Sequence, residues 1–383
     1  MQYTTFENIG LKVSRFGLGT MRLPILPEAG GDANSEKIDK EKAIAMIRYA
    51  ADNGVNYFDT AHMYHNHASK YLLGEALTGG YRKRVNVASK IPAYAINSYD
   101  DFDKLWNEHL TALQSDCIEF CLLHSLTRGN WDKMKELGAV KYLKEAMAQG
   151  KIKYPAFSFH GDIDTFKEII DSFDWCMCQI QLNIIDTDIQ AGIEGLEYAG
   201  KKGIPVTIME PLKGGKLSIN VPDDIKALYN TYPVKRSPQE WAFRWLASLP
   251  YIKLILSGSS SMQQLQDTME IFSKPDFGRM CDEEYALVAK VKDAYLAKTK
   301  VGCTGCGYCV PCPAGVAIPN IFKMYNDAFI YDNLDAHARH YSDYVNSGKS
   351  ADSCAECGRC EGLCPQGIPI IQKLKEAHRV LAK

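Results

Sequence analysis

The sequence predicts an α/β protein, a (β/α)8 TIM barrel followed by a smaller, mainly helical, cysteine-rich domain. Three observations predict it. Short apolar runs alternate with longer amphipathic stretches eight times between residues 15 and 272. Eight such units in about 260 residues fit a closed barrel better than a doubly wound open sheet. Eight of the 13 cysteines fall between Cys303 and Cys364. Glycines stand where helices should stop, at Gly54, Gly150 and Gly203. The expected division is 1–275 for the barrel, 276–300 for a connecting helix and 301–383 for the second domain.

The strand runs, in order, are Phe16–Met21, Val55–Asp59, Val85–Lys90, Ile118–His124, Tyr154–Phe159, Cys178–Leu182, Pro205–Met209 and Leu254–Leu256. A helical pattern follows each. Asp39 is placed to cap the first, which ends at Gly54. Others cover Lys70–Leu77, Tyr99–Leu113 and Met262–Phe272. A charged helix is expected over Asp282–Lys300, and one helical piece over Ile318–Tyr344.

With 46% hydrophobic and 23% charged residues, disorder and collagen-like repeats are excluded. A net charge of −2 gives no electrostatic reason for a nucleic acid or an anionic membrane as partner. There is no 18-residue apolar run. Met1–Gly10 lacks the basic and apolar regions of a secretory signal, so a cytoplasmic location is expected. Thiols stay reduced there, and disulfides become a poor account of the cysteines.

The first cysteine run is Cys303, Cys306, Cys309, Cys312 with Pro313 after it; the second is Cys354, Cys357, Cys360, Cys364 with Pro365. Cysteines three apart let one loop hold three irons of a cubane, and a fourth before Pro ligates the other cluster of a pair. Two [4Fe-4S] clusters are therefore expected. One would use Cys303, Cys306, Cys309 and Cys364, the other Cys354, Cys357, Cys360 and Cys312. The first run is one residue short before Cys312. Zinc is the bland alternative. The remaining cysteines (Cys117, Cys121, Cys176, Cys178, Cys281) read as core packing.

Catalytic groups of such a barrel lie where strands end. The strand ends here supply Asp59, Lys90 and His124, with Tyr64 five residues past Asp59. A tyrosine acts as a general acid if a cation stabilises its phenolate. Lys90 supplies that charge, Asp59 holds the lysine, and His124 orients a carbonyl oxygen. His62, His65 and His67 surround Tyr64; pocket lining is favoured there over a metal site, which would compete with Lys90.

On these residues, with Val13–Met21 and Leu256–Ser261, the first 275 or so residues resemble the aldo/keto reductase family. The cysteine-rich part resembles the ferredoxin-like domain of an iron–sulfur branch of that family. The resemblance implies a nicotinamide-dependent reductase with Asp59, Tyr64, Lys90 and His124 as its tetrad. It also implies cofactor contacts from Gly19, Thr20, Met21, Ser158, Gln179, Met209, Pro211, Leu212, Gly258, Ser259, Ser260 and Gln264. Three positions depart from the family pattern. Phe159 replaces an amide, Met209 stands where an aromatic stacks on the nicotinamide, and uncharged Gln264 falls where an arginine grips the 2′-phosphate.

The expected activity is reduction of a small-molecule carbonyl compound by NAD(P)H. Because clusters pass single electrons and nicotinamides a hydride, two rivals stand beside it. One is a flavin (FMN) enzyme served by a ferredoxin-like electron carrier; the other is a non-catalytic redox-sensing or partner subunit.

Overall fold

Residues 1–30, 34–303, 305, 307–364 and 366–382 are described by the computed structural model. Strands β1 (Tyr3–Phe6) and β2 (Leu11–Ser14) form an antiparallel hairpin. The next eight close into a parallel barrel: β3 (Phe16–Gly19), β4 (Tyr57–Asp59), β5 (Asn86–Pro92), β6 (Ile118–Leu126), β7 (Ile152–Phe159), β8 (Met177–Gln181), β9 (Val206–Met209) and β10 (Ile252–Ser257). The hairpin escapes the sequence pattern because its strands are four residues long with mixed burial. Phe6 and Val13 join the barrel's inner core with Tyr57, Phe120, Leu122 and Met177.

Strand residues alternate between the barrel axis and the helix layer. Phe120 and Leu122 pack inside, whereas Cys121 and Leu123 pack outside against helices. Both faces are apolar, so the runs read as continuous hydrophobic sequence. The helices around the barrel include α1 (Lys40–Asp52), α2 (Ala68–Ala76), α3 (Tyr99–Ala112), α4 (Arg128–Glu136), α5 (Ala139–Ala148), α6 (Ile163–Ser172), α7 (Gly192–Lys201), α9 (Pro238–Ser248) and α10 (Met262–Ile271). Asp39 accepts a bond from Lys42 N and caps α1 as its position predicts.

The chain forms two compact units, 1–214 with 239–281, and 215–238 with 282–383. This division differs from the expected boundaries. Helix α8 (Asp223–Tyr229), in the loop after β9, groups with α11 (Asp282–Leu296) in the second unit. Ion pairs tie the two segments, Lys298 to Asp224 at 2.8 Å and Arg236 to Glu284. Residues 276–300 are therefore not a separate connector.

In the second unit the expected helix over Ile318–Tyr344 is two helices, α12 (Ile318–Ile330) and α13 (Leu334–Asn346). Asp332 between them is left-handed (φ +49°), a conformation that Asp tolerates better than most residues. A short α14 (Arg359–Gly362) lies within the second cysteine run, and α15 (Ile370–Leu381) ends the chain's helices among the described residues. Each run leads into an apolar helix, and Ile321, Phe322, Leu374 and Ala377 of α12 and α15 share one core. Fully buried Tyr341 ties this core to the second run, its hydroxyl accepting from Ala351 N and meeting His378 Nδ1, both at 2.9 Å.

Of the scattered cysteines, Cys121 and Cys178 are buried in the barrel core. Cys117 and Cys176 are half-buried and Cys281 is exposed, so core packing does not account for these three.

At Gly74, α2 lies directly against the C-terminal end of α3. A Cβ there would collide with the Ala112 carbonyl and come within 2.9 Å of Leu113 Cα. Alanine gains about 1 kcal/mol over glycine in a helix, but overpacking against fixed backbone costs about 1–3 kcal/mol. Gly74→Ala should therefore lower the barrel's thermal midpoint; an unchanged or raised midpoint would show that α2 and α3 can separate freely.

Candidate active site

Period-two alternation decides which side chains reach the barrel mouth. Counting inward positions upward gives Tyr57 then Asp59 on β4, Ala88 then Lys90 on β5, and Leu122 then His124 on β6. The inward series ends at Ser158 on β7, runs through Gln179 to Gln181 on β8, and ends at Met209 on β9. The four predicted catalytic groups are brought together there. Lys90 Nζ donates to Asp59 Oδ1 at 2.6 Å, to Thr60 O at 2.8 Å and to the Tyr64 hydroxyl at 3.3 Å. The His124 ring stands edge-on to Tyr64 with centroids 6.2 Å apart.

Lys90 is fully buried. Burial works against its charge, yet Asp59 and the Tyr64 oxygen outweigh burial and raise its pKa. Burial pushes the Asp59 carboxyl up against the pull of Lys90, and Asp59 Oδ2 has no partner among the described residues. The Tyr64 phenol is raised, first by burial and further by Asp59 and Glu210, with Lys90 opposing. The cation therefore does not lower the resting phenol's pKa below its ordinary value; its leverage comes as phenolate forms. Burial, then Lys90, His160 and His62, lower His124 to about 3, so its imidazole is neutral at physiological pH.

The loop after Asp59 holds Tyr64 through its neighbour. His65, Asn66 and His67 all have positive φ (+50°, +47° and +75°), which costs roughly 1–2 kcal/mol per non-glycine residue. Buried His65 pins this turn. Its Nε2 accepts from Leu23 N at 3.1 Å, so its Nδ1 carries the proton and donates to Ser35 O at 2.9 Å. Both ring nitrogens are thereby used. His62 stacks instead on buried His109 at 5.5 Å, and no group of three His, Cys, Asp or Glu suited to a metal ion occurs among the described residues.

The expected cofactor residues divide. Gln179 Oε1 and Ser259 Oγ are buried without partners among the described residues, as groups awaiting a polar ligand would be. Gln179 Nε2 reaches only the Met209 sulfur, at 3.5 Å. Ser158 Oγ accepts from Ser125 N at 2.8 Å. Gly19 ends β3, Met21 is exposed, Pro211 is buried and Leu212 half-buried beyond β9. Thr20 is turned away from any ligand: fully buried, its hydroxyl donates to Asp59 O and meets Ser69 Oγ. It supports the strand end that carries Asp59, so a cofactor contact from its side chain is not what the fold provides. Phe159 points into the helix layer, 5.1 Å from the Phe166 ring, and the lost amide is not replaced by a phenyl group in the pocket.

At the start of α10, Ser261 accepts from Gln264 N and Gln264 Oε1 accepts from Ser260 N at 2.9 Å. The Ser260 hydroxyl donates to Arg22 O, and Arg22 Cβ lies 3.0 Å from where a Cβ on Gly258 would stand. Sequence reasoning missed this arginine, whose position beside the loop is set across the β3–β10 pairing rather than by local spacing.

In the second unit, Cys303 and Cys309 from the first run and Cys364 from the second line one cavity, walled by Ile318, Phe322 and Ile370. Its empty space is about 340 Å³, part of it open to solvent. Cys312, Cys354 and Cys360 pack half-buried against the same core, and Cys357 is exposed. Cys306 lies outside the described residues, as does Pro365.

The chain belongs to the aldo/keto reductase family, whose profile matches residues 15–292. It carries in addition a 4Fe-4S dicluster domain, matched over residues 302–369. A probable aldo-keto reductase of Glycine max is 26% identical over 213 residues, 54% of this chain and 58% of that protein. The chain thus spans little more than half the length of this curated relative. An aldo-keto reductase of Bacillus halodurans superposes with a TM-score of 0.64 at 21% identity, covering 76% of this chain and 96% of that one. An aldo/keto reductase of Klebsiella pneumoniae, in complex with NADP and acetate, gives 0.61 at 21% identity with the same coverage. No described helix is long and apolar enough to cross a membrane.

His124, His62 and His109 share lowered pKa values, to about 3, about 4 and well below the ordinary value respectively, each chiefly through burial. Unfolded, each takes up a proton near pH 6.5. Between about pH 6.5 and 4 the unfolded chain therefore binds more protons, and stability falls as pH falls. Thermal midpoints should decline from pH 7 to 5, and His109→Gln should make that decline shallower. An unchanged slope would place the proton uptake elsewhere.

Proposed function

We propose that this oxidoreductase reduces a carbonyl compound at the barrel mouth with NADPH, and that two [4Fe-4S] clusters in its C-terminal domain exchange single electrons with a ferredoxin-like carrier. The observation that carries the first half is the Lys90 ammonium shared between Asp59 and the Tyr64 hydroxyl, with neutral His124 beside it. A bound nicotinamide supplies the hydride. Tyr64, protonated at rest, gives its proton to the carbonyl oxygen as negative charge develops there. Lys90 stabilises the phenolate left behind, and Asp59 keeps Lys90 charged and in place. His124 donates an N–H to the same oxygen without adding a second buried cation.

Gln179 and Ser158 are the groups to hold the carboxamide, with Met209 covering the ring by dispersion. The turn from Gly258 to Ser261 and the start of α10 would take the phosphates, displacing the Gln264 side chain from Ser260 N. Arg22 supplies the cation that Gln264 lacks, which supports NADPH, as does the NADP complex of the Klebsiella protein. A flavin has no such supporting observation. Cluster chemistry in a reducing compartment supports a cytoplasmic setting.

Tyr64→Phe should reduce carbonyl turnover by roughly 10²–10⁴-fold while cluster content and nicotinamide affinity stay at wild-type values. Undiminished turnover in anaerobic assays would remove Tyr64 from its role.

For the clusters we assign Cys303, Cys306, Cys309 and Cys364 to one and Cys354, Cys357, Cys360 and Cys312 to the other. The cavity shared by Cys303, Cys309 and Cys364 supports the exchange of fourth ligands. Cys364→Ser should then disturb the same electron paramagnetic resonance signal as Cys303→Ser, and Cys312→Ser the same as Cys354→Ser. The reverse pairing would show that each run closes on its own cluster.

A further inference from the structure

A second set of polar side chains stands on the rim formed by β7, β8 and the turn after β9, and the tetrad does not use it. Lys213 Nζ donates to Asp186 at 2.7 and 2.5 Å, and Asn183 Nδ2 and Gln181 Nε2 donate to the same carboxylate at 3.0 and 3.1 Å. Gln190 Nε2 reaches Gln181 Oε1 at 3.1 Å, and Gln190 Oε1 lies 3.1 Å from His160 Nδ1. Gln181, Asn183 and Asp186 are buried. An ion pair and three amides at one rim are costly to bury unless every group is satisfied.

The carboxylate at one end fixes the direction of the whole chain. Asp186 only accepts, so Gln181 turns its NH2 to Asp186 and its oxygen to Gln190. Gln190 then presents its own oxygen to His160, whose Nδ1 must be the donor. The imidazole is thereby held as one tautomer, with the proton on Nδ1 and a lone pair on Nε2. Nε2 has no partner among the described residues. His160 stands one residue beyond β7, anchored by its N–H on Leu126 O at 2.8 Å, at the end of the barrel where His124 projects from the neighbouring strand.

We infer that His160 is a specificity-determining residue whose Nε2 accepts a hydrogen bond from a hydroxyl on the carbon next to the reacting carbonyl, so that the substrate is a hydroxycarbonyl compound. This rests on the carbonyl-reductase reading of the tetrad. A bare carbonyl offers only lone pairs, which Tyr64 and His124 satisfy as donors. An acceptor locked in place at the same mouth suits a substrate that also donates. Glu210, exposed one residue past β9 with a left-handed backbone (φ +53°) and acting on Tyr64 from there, is a second acceptor on the same rim. A site built to bond a hydroxyl discriminates against the analogue lacking it far more strongly than an apolar pocket does.

The test compares hydroxyacetone with acetone on the full, cluster-loaded chain. Turnover with NADPH gives one ratio of the two compounds, and ligand-observed saturation-transfer NMR in NADP⁺ gives the ratio of their binding. Wild type should favour hydroxyacetone at least tenfold in kcat/KM and in binding, and His160→Phe should bring both ratios close to one. Gln190→Leu, which keeps the imidazole but frees its tautomer, should lower both ratios part of the way, and serves if the first variant fails to fold. Ratios equal in wild type and variants would overturn the inference, leaving His160 a packing residue. If neither compound turns over but binding still favours hydroxyacetone in a His160-dependent way, the reductase reading falls and the assignment of His160 stands.

Discussion

A lysine ammonium with no exposure to water must be matched on every side, and the arrangement around Lys90 follows from that requirement. Desolvating an isolated charge costs several kcal/mol, so the ammonium needs Asp59, the Thr60 carbonyl and the Tyr64 oxygen together. Each partner imposes a condition on the fold. Asp59 and Thr60 must end β4 beside Lys90, which the fully buried Thr20, Ser69 and Thr60 hydroxyls enforce from behind. Tyr64 must return over the mouth, which three consecutive left-handed residues and the two-sided grip on His65 achieve. His124 is neutral first through its own burial and then because a second cation beside buried Lys90 is unfavourable.

The same economy of charge extends around the mouth. Buried Lys70 has Glu108 at 3.1 Å, and Lys213 has Asp186. The imidazoles of His62, His109 and His124 are held below their ordinary pKa, chiefly by burial and then by Lys70 or Lys90, so they act as single donors or acceptors rather than as charges. A mouth of this kind orients a polar, neutral group better than it attracts an anion. The second unit follows a different logic, with half-buried cysteines on an apolar core made by α12 and α15.

Much of this was legible in the residues. The strand runs read correctly because both faces of a barrel strand are apolar, and Asp59, Lys90 and His124 read as strand ends because each breaks such a run with a charge or a titratable ring. The hairpin of Tyr3–Phe6 and Leu11–Ser14 was not legible, since four-residue strands of mixed burial carry no periodic signal. Nor was the break at Asp332, where a helical pattern continues across a single left-handed residue. Thr20 was read toward the cofactor from its place in a motif, but its hydroxyl is turned inward to Ser69. Phe159 stands where the family pattern has an amide, and strand parity sends it outward to Phe166.

By itself the sequence determined the barrel, the iron–sulfur domain and the identities of the four groups at the mouth, because each depends on local spacing: apolar runs, strand ends and cysteines three apart. The tertiary structure decided what depends on contacts between distant segments. It set Arg22 beside Gly258. It also fixed the tautomer of His160 through Gln190, Gln181 and Asp186. A hydrogen bond or a shared cavity is set by the closure of the fold, and no spacing along the chain records it.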